Sequence, residues 1–127
     1  MKTPRELLDM TKSLIRENQF IKARFEQAKE SQVEGDFYQE VKPYADEIKQ
    51  LTEIWRDEFV SWLAEHPQKN LHHQQINTVT DNIQMVSIQA FFPRTSRKRF
   101  VDHVQSIEYT LSVVQSVLGE HLSKQKN

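Results

Sequence analysis

Apolar side chains recur along the chain at alternating steps of three and four residues, the spacing that places them on one face of an α-helix. The pattern forms four stretches, and it is strongest in the second. We predict helices at about residues 4–31, 37–65, 72–92 and 96–122, the third being the shortest. The main stripe residues are Leu7, Met10, Leu14, Ile21, Phe25 and Ala28; Phe37, Val41, Tyr44, Ile48, Leu51, Trp55, Phe59 and Trp62; Ile76, Val79, Ile83, Val86 and Ala90; and Phe100, Val104, Ile107, Leu111, Val114, Leu118 and Leu122.

Short polar motifs indicate where the first two helices begin. Thr3, Pro4 and Glu6 form a capping box with Pro at the first helical position, and Asp36 repeats the capping pattern before the second stripe. Pro43 falls in the second turn of the second helix, where it removes a backbone donor. We therefore predict a bend or a restart of the helix at that point.

The lengths of the helices and of their links predict the architecture. Links of about four to eight residues make each helix run antiparallel to the one before it. We predict an all-α fold, an antiparallel up-down-up-down four-helix bundle, formed by residues 1–127 as one domain. The heptad-like spacing of the stripes favours a left-handed twist.

Composition excludes several other classes of protein. With two Gly and four Pro, the chain has too few turn residues for a β-sandwich, a barrel, a P-loop or a dinucleotide fold. The absence of Cys excludes disulfides and Cys-ligated metals. No uncharged stretch approaches the roughly 20 residues that cross a bilayer, and no signal sequence follows Met1. We expect a cytoplasmic protein that does not associate with membranes.

Several short segments, spread over nearly the whole chain, resemble a known family. They are Asp36-Phe37-Tyr38, Val41-Lys42-Pro43, Trp55, Gln75-Ile76 with Asp81-Asn82, Arg97-Lys98-Arg99-Phe100, and Ser106 with Tyr109-Thr110-Leu111. In this spacing they resemble the YppE-like family of small bacterial proteins. The resemblance implies a single-domain antiparallel four-helix protein of unknown function, and it supplies no catalytic or binding residue.

The third and fourth helices carry apolar residues away from their main stripes. If these residues are exposed, they form a face for a homodimer or for a protein partner, because exposed apolar patches commonly mark interfaces. The alternative is that both helices simply bury more of their circumference. The residues of this predicted partner face are Met85, Ile88, Phe92, Tyr109, Val113 and Val117.

Four cations crowd the start of the fourth helix, where the helix macrodipole is also positive. They are Arg94, Arg97, Lys98 and Arg99. One interpretation is a phosphate-type anion site, and the other is internal pairing with acidic residues at the same end of the bundle. Those acidic residues are Glu26, Glu30, Glu34, Asp36 and Glu40. Since the formal net charge is −1, nucleic acid is not an expected partner.

Polar residues also lie on or beside the core stripes. Asn18, Asn82, Gln89 and Tyr109 either line a small-molecule pocket between helices or form a structural hydrogen-bond network. Both interpretations stay open.

Histidines collect at one end of the predicted bundle. His66, His72, His73 and His121 either bind zinc or nickel there or are unrelated residues near helix ends. The sequence contains no Glu-x-x-His motif of the kind that builds metal sites in bundles, so we assign no metal and no cofactor.

No acid–base pair or activated nucleophile is apparent in the sequence, and we therefore do not expect an enzyme. We expect a helical-bundle protein that acts as a protein–protein interaction module. The alternative is a protein that binds a small ligand or a phosphate-type anion at the basic start of the fourth helix.

Overall fold

The computed structural model describes residues 1–125, which form four α-helices and no strand. The helices are α1 (Pro4–Ser31), α2 (Lys42–Glu65), α3 (His73–Gln89) and α4 (Arg97–Gln125), and a π-helical turn, Phe37–Val41, leads into α2. The predicted all-α class is confirmed, and α3 is the shortest of the four helices.

The first two helices begin as the capping motifs predict. Thr3 Oγ1 accepts a hydrogen bond from the Glu6 amide, and the Glu6 carboxylate accepts one from the Thr3 amide. Asp36 Oδ1 accepts from the Gln39 amide at 2.8 Å. The predicted restart near Pro43 takes the form of the π turn, after which Pro43 lies in the first turn of α2, where a missing N–H costs no helical hydrogen bond.

Helix α3 ends at Gln89, three residues before the predicted end at residue 92. The amides of Phe91 and Phe92 bond to the carbonyls of Ile88 and Gln89, so the chain tightens into i→i+3 turns. Pro93 follows and has no amide with which to continue the helix. Helix α4 extends beyond the predicted residue 122 to Gln125, because the residues after Leu122 are compatible with a helix.

Side-chain contacts show that consecutive helices run antiparallel. Low-numbered residues of one helix meet high-numbered residues of the next, and α1 also lies antiparallel to α4. Because α2 is antiparallel to both α1 and α3, helix α3 runs parallel to α1. Since α4 is antiparallel to α1, it is also antiparallel to α3. The left-handed twist stays a prediction. The pairs are Lys2 with Glu58 and Glu17 with Tyr44 for α1 and α2; Thr52 with Gln84, and Leu63 near Leu71, for α2 and α3; and Asn18 with Val104 and Glu26 with Arg97 for α1 and α4.

A buried hydrogen bond joins α1 to α2 at the centre of the core. The side chain of Trp55 is fully buried, and its indole Nε1 donates to Thr11 Oγ1 at 2.9 Å. The same hydroxyl donates to the Leu7 carbonyl at 2.7 Å, so both polar groups are satisfied. Thr52 plays a similar part between α2 and α3, because its hydroxyl accepts from Gln84 Nε2 at 3.0 Å.

The link between α1 and α2 crosses the chain that follows α3. The Gly35 amide donates to the Phe91 carbonyl at 2.9 Å. A Cβ atom at residue 35 would lie 2.8 Å from Phe91 Cδ1 and 2.9 Å from Phe91 Cβ, closer than non-bonded carbon atoms approach. Glycine is therefore required here by the close approach of the two segments.

We predict that Thr11→Val destabilises the protein by about 1–3 kcal/mol, because it leaves the buried Trp55 N–H without an acceptor. Thr11→Ser keeps the hydroxyl and is the matched control, with an expected loss below about 1 kcal/mol. Urea denaturation followed by tryptophan fluorescence measures both values. Equal stability of the Val variant and the wild type would contradict the role given to this hydrogen bond.

We predict that Gly35→Ala lowers the free energy of unfolding by about 1–3 kcal/mol, because the added methyl group displaces the buried Phe91 ring. Gly119→Ala is the control, since a Cβ at residue 119 meets no atom within 4 Å. Within helix α4 that change should instead stabilise the protein, by about 0.5–1 kcal/mol. Thermal unfolding of the two variants in parallel measures these opposite effects. A shift of the melting temperature in the same direction for both variants would contradict the prediction.

Candidate functional site

The residues of the predicted partner face lie in two halves of the bundle. Met85, Ile88 and Phe92 lie beside the first turns of α4, whereas Tyr109, Val113 and Val117 lie farther along it. Only Ile88 and Tyr109 are exposed, at 44% and 69%, and the other four side chains are half-buried. Ile88 and Tyr109 are separated by roughly 15 Å along the bundle, at 1.5 Å per helical residue. The partner face stays a prediction, and its exposed part consists of two side chains that lie apart.

The basic group at the start of α4 is paired internally at one of its four positions. Arg97 Nη1 contacts Glu26 Oε1, and its guanidinium lies 5.8 Å from the centre of the Phe25 ring. Arg94, Lys98 and Arg99 are exposed, and no carboxylate of residues 1–125 forms an ion pair with them. Internal pairing therefore accounts for Arg97 and leaves three cations facing solvent.

The four predicted polar pocket residues do not line one pocket. Asn18 Nδ2 donates to the Val104 carbonyl at 3.1 Å, and Asn18 lines a cavity of about 190 Å³ between α1 and α4. Asn82 lines a different groove, of about 250 Å³, between α3 and α4. Gln89 is half-buried and lines neither, and Tyr109 faces solvent. Asn18 thus acts as a link between helices.

Two of the four histidines at the other end of the bundle come together. The rings of His66 and His121 are 4.9 Å apart, and both pack on Trp62, at 4.6 and 5.2 Å between ring centres. His72 and His73 instead line a groove of about 830 Å³ between the end of α2 and the start of α3. Within residues 1–125, no three His, Asp or Glu side chains are grouped so that they could hold a metal ion.

Three of the most exposed large apolar side chains lie on the link between α1 and α2. Val33 is 64% exposed, Phe37 is 53% exposed and Tyr38 is 79% exposed. The Phe37 and Tyr38 rings pack edge to face, with their centres 5.1 Å apart. We call these three residues the link patch.

The prediction that Phe37 belongs to the core stripe of the second helix is wrong. In the π turn the Lys42 amide bonds to the Phe37 carbonyl, five residues back, so Phe37 is out of register with the α2 stripe. Val41, at the end of the turn, is buried, whereas Phe37 faces solvent. The sequence feature that indicates this exposed surface is the presence of three large apolar residues in an acidic segment, residues 30–40.

The link patch stands on a backbone that is held at several points. Gly35 is bonded to the Phe91 carbonyl, and Asp36 caps the π turn. Arg24 of α1 pairs with Glu40 at 3.3 Å, and its guanidinium lies 4.8 Å from the centre of the Phe91 ring. The exposed side chains are therefore presented by an ordered segment.

Tyr44 packs beside the link as a half-buried side chain. Its hydroxyl donates to Glu17 Oε1 at 2.8 Å, and the Phe20 ring lies 5.1 Å from its ring. Burial, together with the Glu17 carboxylate, raises the pKa of Tyr44 far above its ordinary value of 10.0. Tyr44 thus stays neutral in the folded protein under conditions in which an exposed phenol ionises.

Within residues 1–125, no helix has both the length and the hydropathy that crossing a membrane requires.

The helices define the chain as a small four-helix protein, and comparison with known sequences identifies its family. The profile of a bacterial domain of unknown function, DUF1798, matches residues 11–118. The chain belongs to this family. It is 28% identical over 118 residues to the uncharacterised protein YppE of Bacillus subtilis, which covers 93% of this chain and 96% of YppE.

Solved structures of relatives have the same fold. The crystal structure of YppE from Bacillus subtilis matches with a TM-score of 0.91 at 27% identity, over 96% of this chain and 99% of that one. A protein of unknown function from Listeria innocua matches with a TM-score of 0.89 at 30% identity, over 94% and 96%. A DUF1798 protein from Staphylococcus aureus matches with a TM-score of 0.79 at 27% identity, over 90% and 96%. The resemblance to the YppE-like family is confirmed.

We predict that Tyr44 contributes to a loss of stability above pH 10. The unfolded chain releases the phenolic proton near pH 10.0, whereas the folded protein retains it to higher pH, so stability falls as the pH rises beyond that point. Urea midpoints measured at about pH 8 and about pH 11 should differ less for Tyr44→Phe than for the wild type. An identical alkaline loss in both proteins would contradict the raised pKa.

Proposed function

We propose that this protein is a non-enzymatic protein–protein interaction module and that the link patch is its docking surface. The observation that carries the proposal is the exposure of Val33, Phe37 and Tyr38 on an ordered link. Gly35 and Asp36 position the backbone on which these side chains stand.

The size and composition of the link patch support a role in recognition. A Phe or Tyr side chain buries about 150–250 Å² when it is fully covered, so the three residues expose roughly 300–400 Å². Apolar patches of about this size on monomers are often functional. Aromatic side chains are also enriched among the residues that contribute most to binding energy.

The link patch is favoured over the predicted partner face because its two aromatic members contact each other and all three members lie within six residues of one link. Phe37 and Tyr38 contact each other, whereas Ile88 and Tyr109 lie apart on different helices. A partner that covers the link patch excludes water from adjacent apolar groups, and each covered Å² contributes about 25 cal/mol.

Photo-crosslinking in bacterial cells that express the protein at its natural level tests the proposal. We expect a photoreactive phenylalanine analogue at Tyr38 to form covalent adducts with a protein, because this side chain lies in the docking surface. The same analogue at Tyr109, another exposed tyrosine, is the matched control and should form few adducts.

A second variant confirms that the link patch itself directs the crosslink. Phe37→Ser, combined with the analogue at Tyr38, should lower the adduct yield at least about fivefold, in line with the loss of roughly 1 kcal/mol or more when a central aromatic contact is removed. Equal adduct yields from Tyr38 and Tyr109, or no adduct from Tyr38, would contradict the proposed function.

A further inference from the structure

Acidic and basic residues without ion-pair partners occur together at the end of the bundle that carries the link patch. The α1–α2 link and the start of α4 meet at this end, since Gly35 bonds to Phe91 and Arg97 contacts Glu26. Among residues 1–125, three carboxylates and four cations here lie outside every ion pair of the structure. They are Glu30, Glu34 and Asp36, and Lys29, Arg94, Lys98 and Arg99.

The other charges at this end are matched within the chain. Arg24 pairs with Glu40, and Arg97 pairs with Glu26. The remaining carboxylates lie at the end of α1 and on the link, and three of the remaining cations lie at the start of α4, so the acidic segment of one chain is complementary to the basic segment of a copy. The formal net charge of −1 also adds little repulsion between two chains.

We infer that the occupant of the link patch is a second copy of this chain, an inference that rests on the proposed function. In a two-fold dimer each contact occurs twice, so that the acidic link of one protomer faces the basic start of α4 in its partner, and the reverse. The same axis brings the two link patches together. The three exposed cations thus bind protein carboxylates in this arrangement.

The size of the surface sets the strength of this dimer. A stable complex buries about 800 Å² per partner, and the link patch supplies roughly half of that as apolar area. The charged residues around the patch supply the remainder, and charge pairs at the rim weaken as salt screens them. The dimer is therefore weak and sensitive to salt, with a Kd in about the micromolar to millimolar range.

Sedimentation velocity on the full chain, from about 10 µM to about 1 mM, tests the inference. The wild type should associate to a dimer with rising concentration at about 20 mM NaCl, and the Kd should rise at least about tenfold at about 500 mM NaCl. A wild type that stays monomeric over this range would overturn the inference, as would a dimer that is indifferent to salt.

Charge reversal locates the interface. Glu30→Lys with Glu34→Lys, and separately Lys98→Glu with Arg99→Glu, should each abolish self-association, because like charges then oppose each other across the axis. An equimolar mixture of the two variants should form a heterodimer, because complementarity is restored. Circular dichroism confirms that both variants are folded, and a mixture that remains monomeric would overturn the inference.

A control variant separates this effect from net charge. Glu65→Lys with Glu120→Lys makes the same change in net charge as Glu30→Lys with Glu34→Lys. It does so at the opposite end of the bundle, where both side chains are exposed. This variant should dimerise with a Kd within about threefold of the wild-type value, since rim charges act within about a Debye length. Loss of its dimer would overturn the assignment of the interface to the link end.

The crosslinking experiment distinguishes failure of this inference from failure of the proposed function. An adduct at Tyr38 with twice the mass of the chain supports the second copy. An adduct with a different protein, with no adduct of doubled mass, overturns the inference and leaves the interaction module standing. Absence of any adduct at Tyr38 overturns both.

Discussion

The hydrogen bond between the Trp55 indole and the Thr11 hydroxyl fixes the register in which α1 packs against α2. Both side chains are fully buried, and an unpaired indole N–H in this position costs about 1–3 kcal/mol. The bond therefore selects one register of the two helices from those that would bury the apolar stripes equally well. Within that register Tyr44 meets Glu17 and Arg24 meets Glu40.

This register also determines the course of the link. The chain leaves α1 at Ser31 and enters α2 at Lys42, and it crosses the chain after α3 where Gly35 meets Phe91. Since α4 packs on α1 through the stacked rings of Phe25 and Phe100, the start of α4 lies at the same end of the bundle. The exposed link patch and the exposed cations are thus neighbours because of how the core packs.

Much of the fold follows from the sequence, because periodicity and capping are local properties. The capping box at Thr3, the N-cap at Asp36 and the bounds of the first helix are as predicted. Helix α3 ends before the predicted residue 92 because Pro93 terminates the helix through the turn that precedes it. The spacing of the apolar residues does not indicate this effect. The bundle topology follows equally from the lengths of the links.

The candidate surface was less accessible to sequence reasoning. Phe37 fits the spacing of the core stripe, and only the π turn, a change in hydrogen-bond pattern, places it in solvent. The predicted partner face rests on angles within each helix separately, and such angles do not show how antiparallel packing separates Ile88 from Tyr109. Burial depends on neighbouring helices, and neither the exposure of Phe37 nor the separation of Ile88 from Tyr109 is visible in one helix alone.

Two-dimensional NMR spectra of the labelled chain at increasing concentration test whether the link end is the surface through which this protein binds. We predict that the amide signals of residues 33–38 and 94–99 shift together with concentration, and that those around Tyr109, farther along α4, do not. Shifts confined to the residues around Tyr109, or no shifts at any concentration, would contradict this prediction.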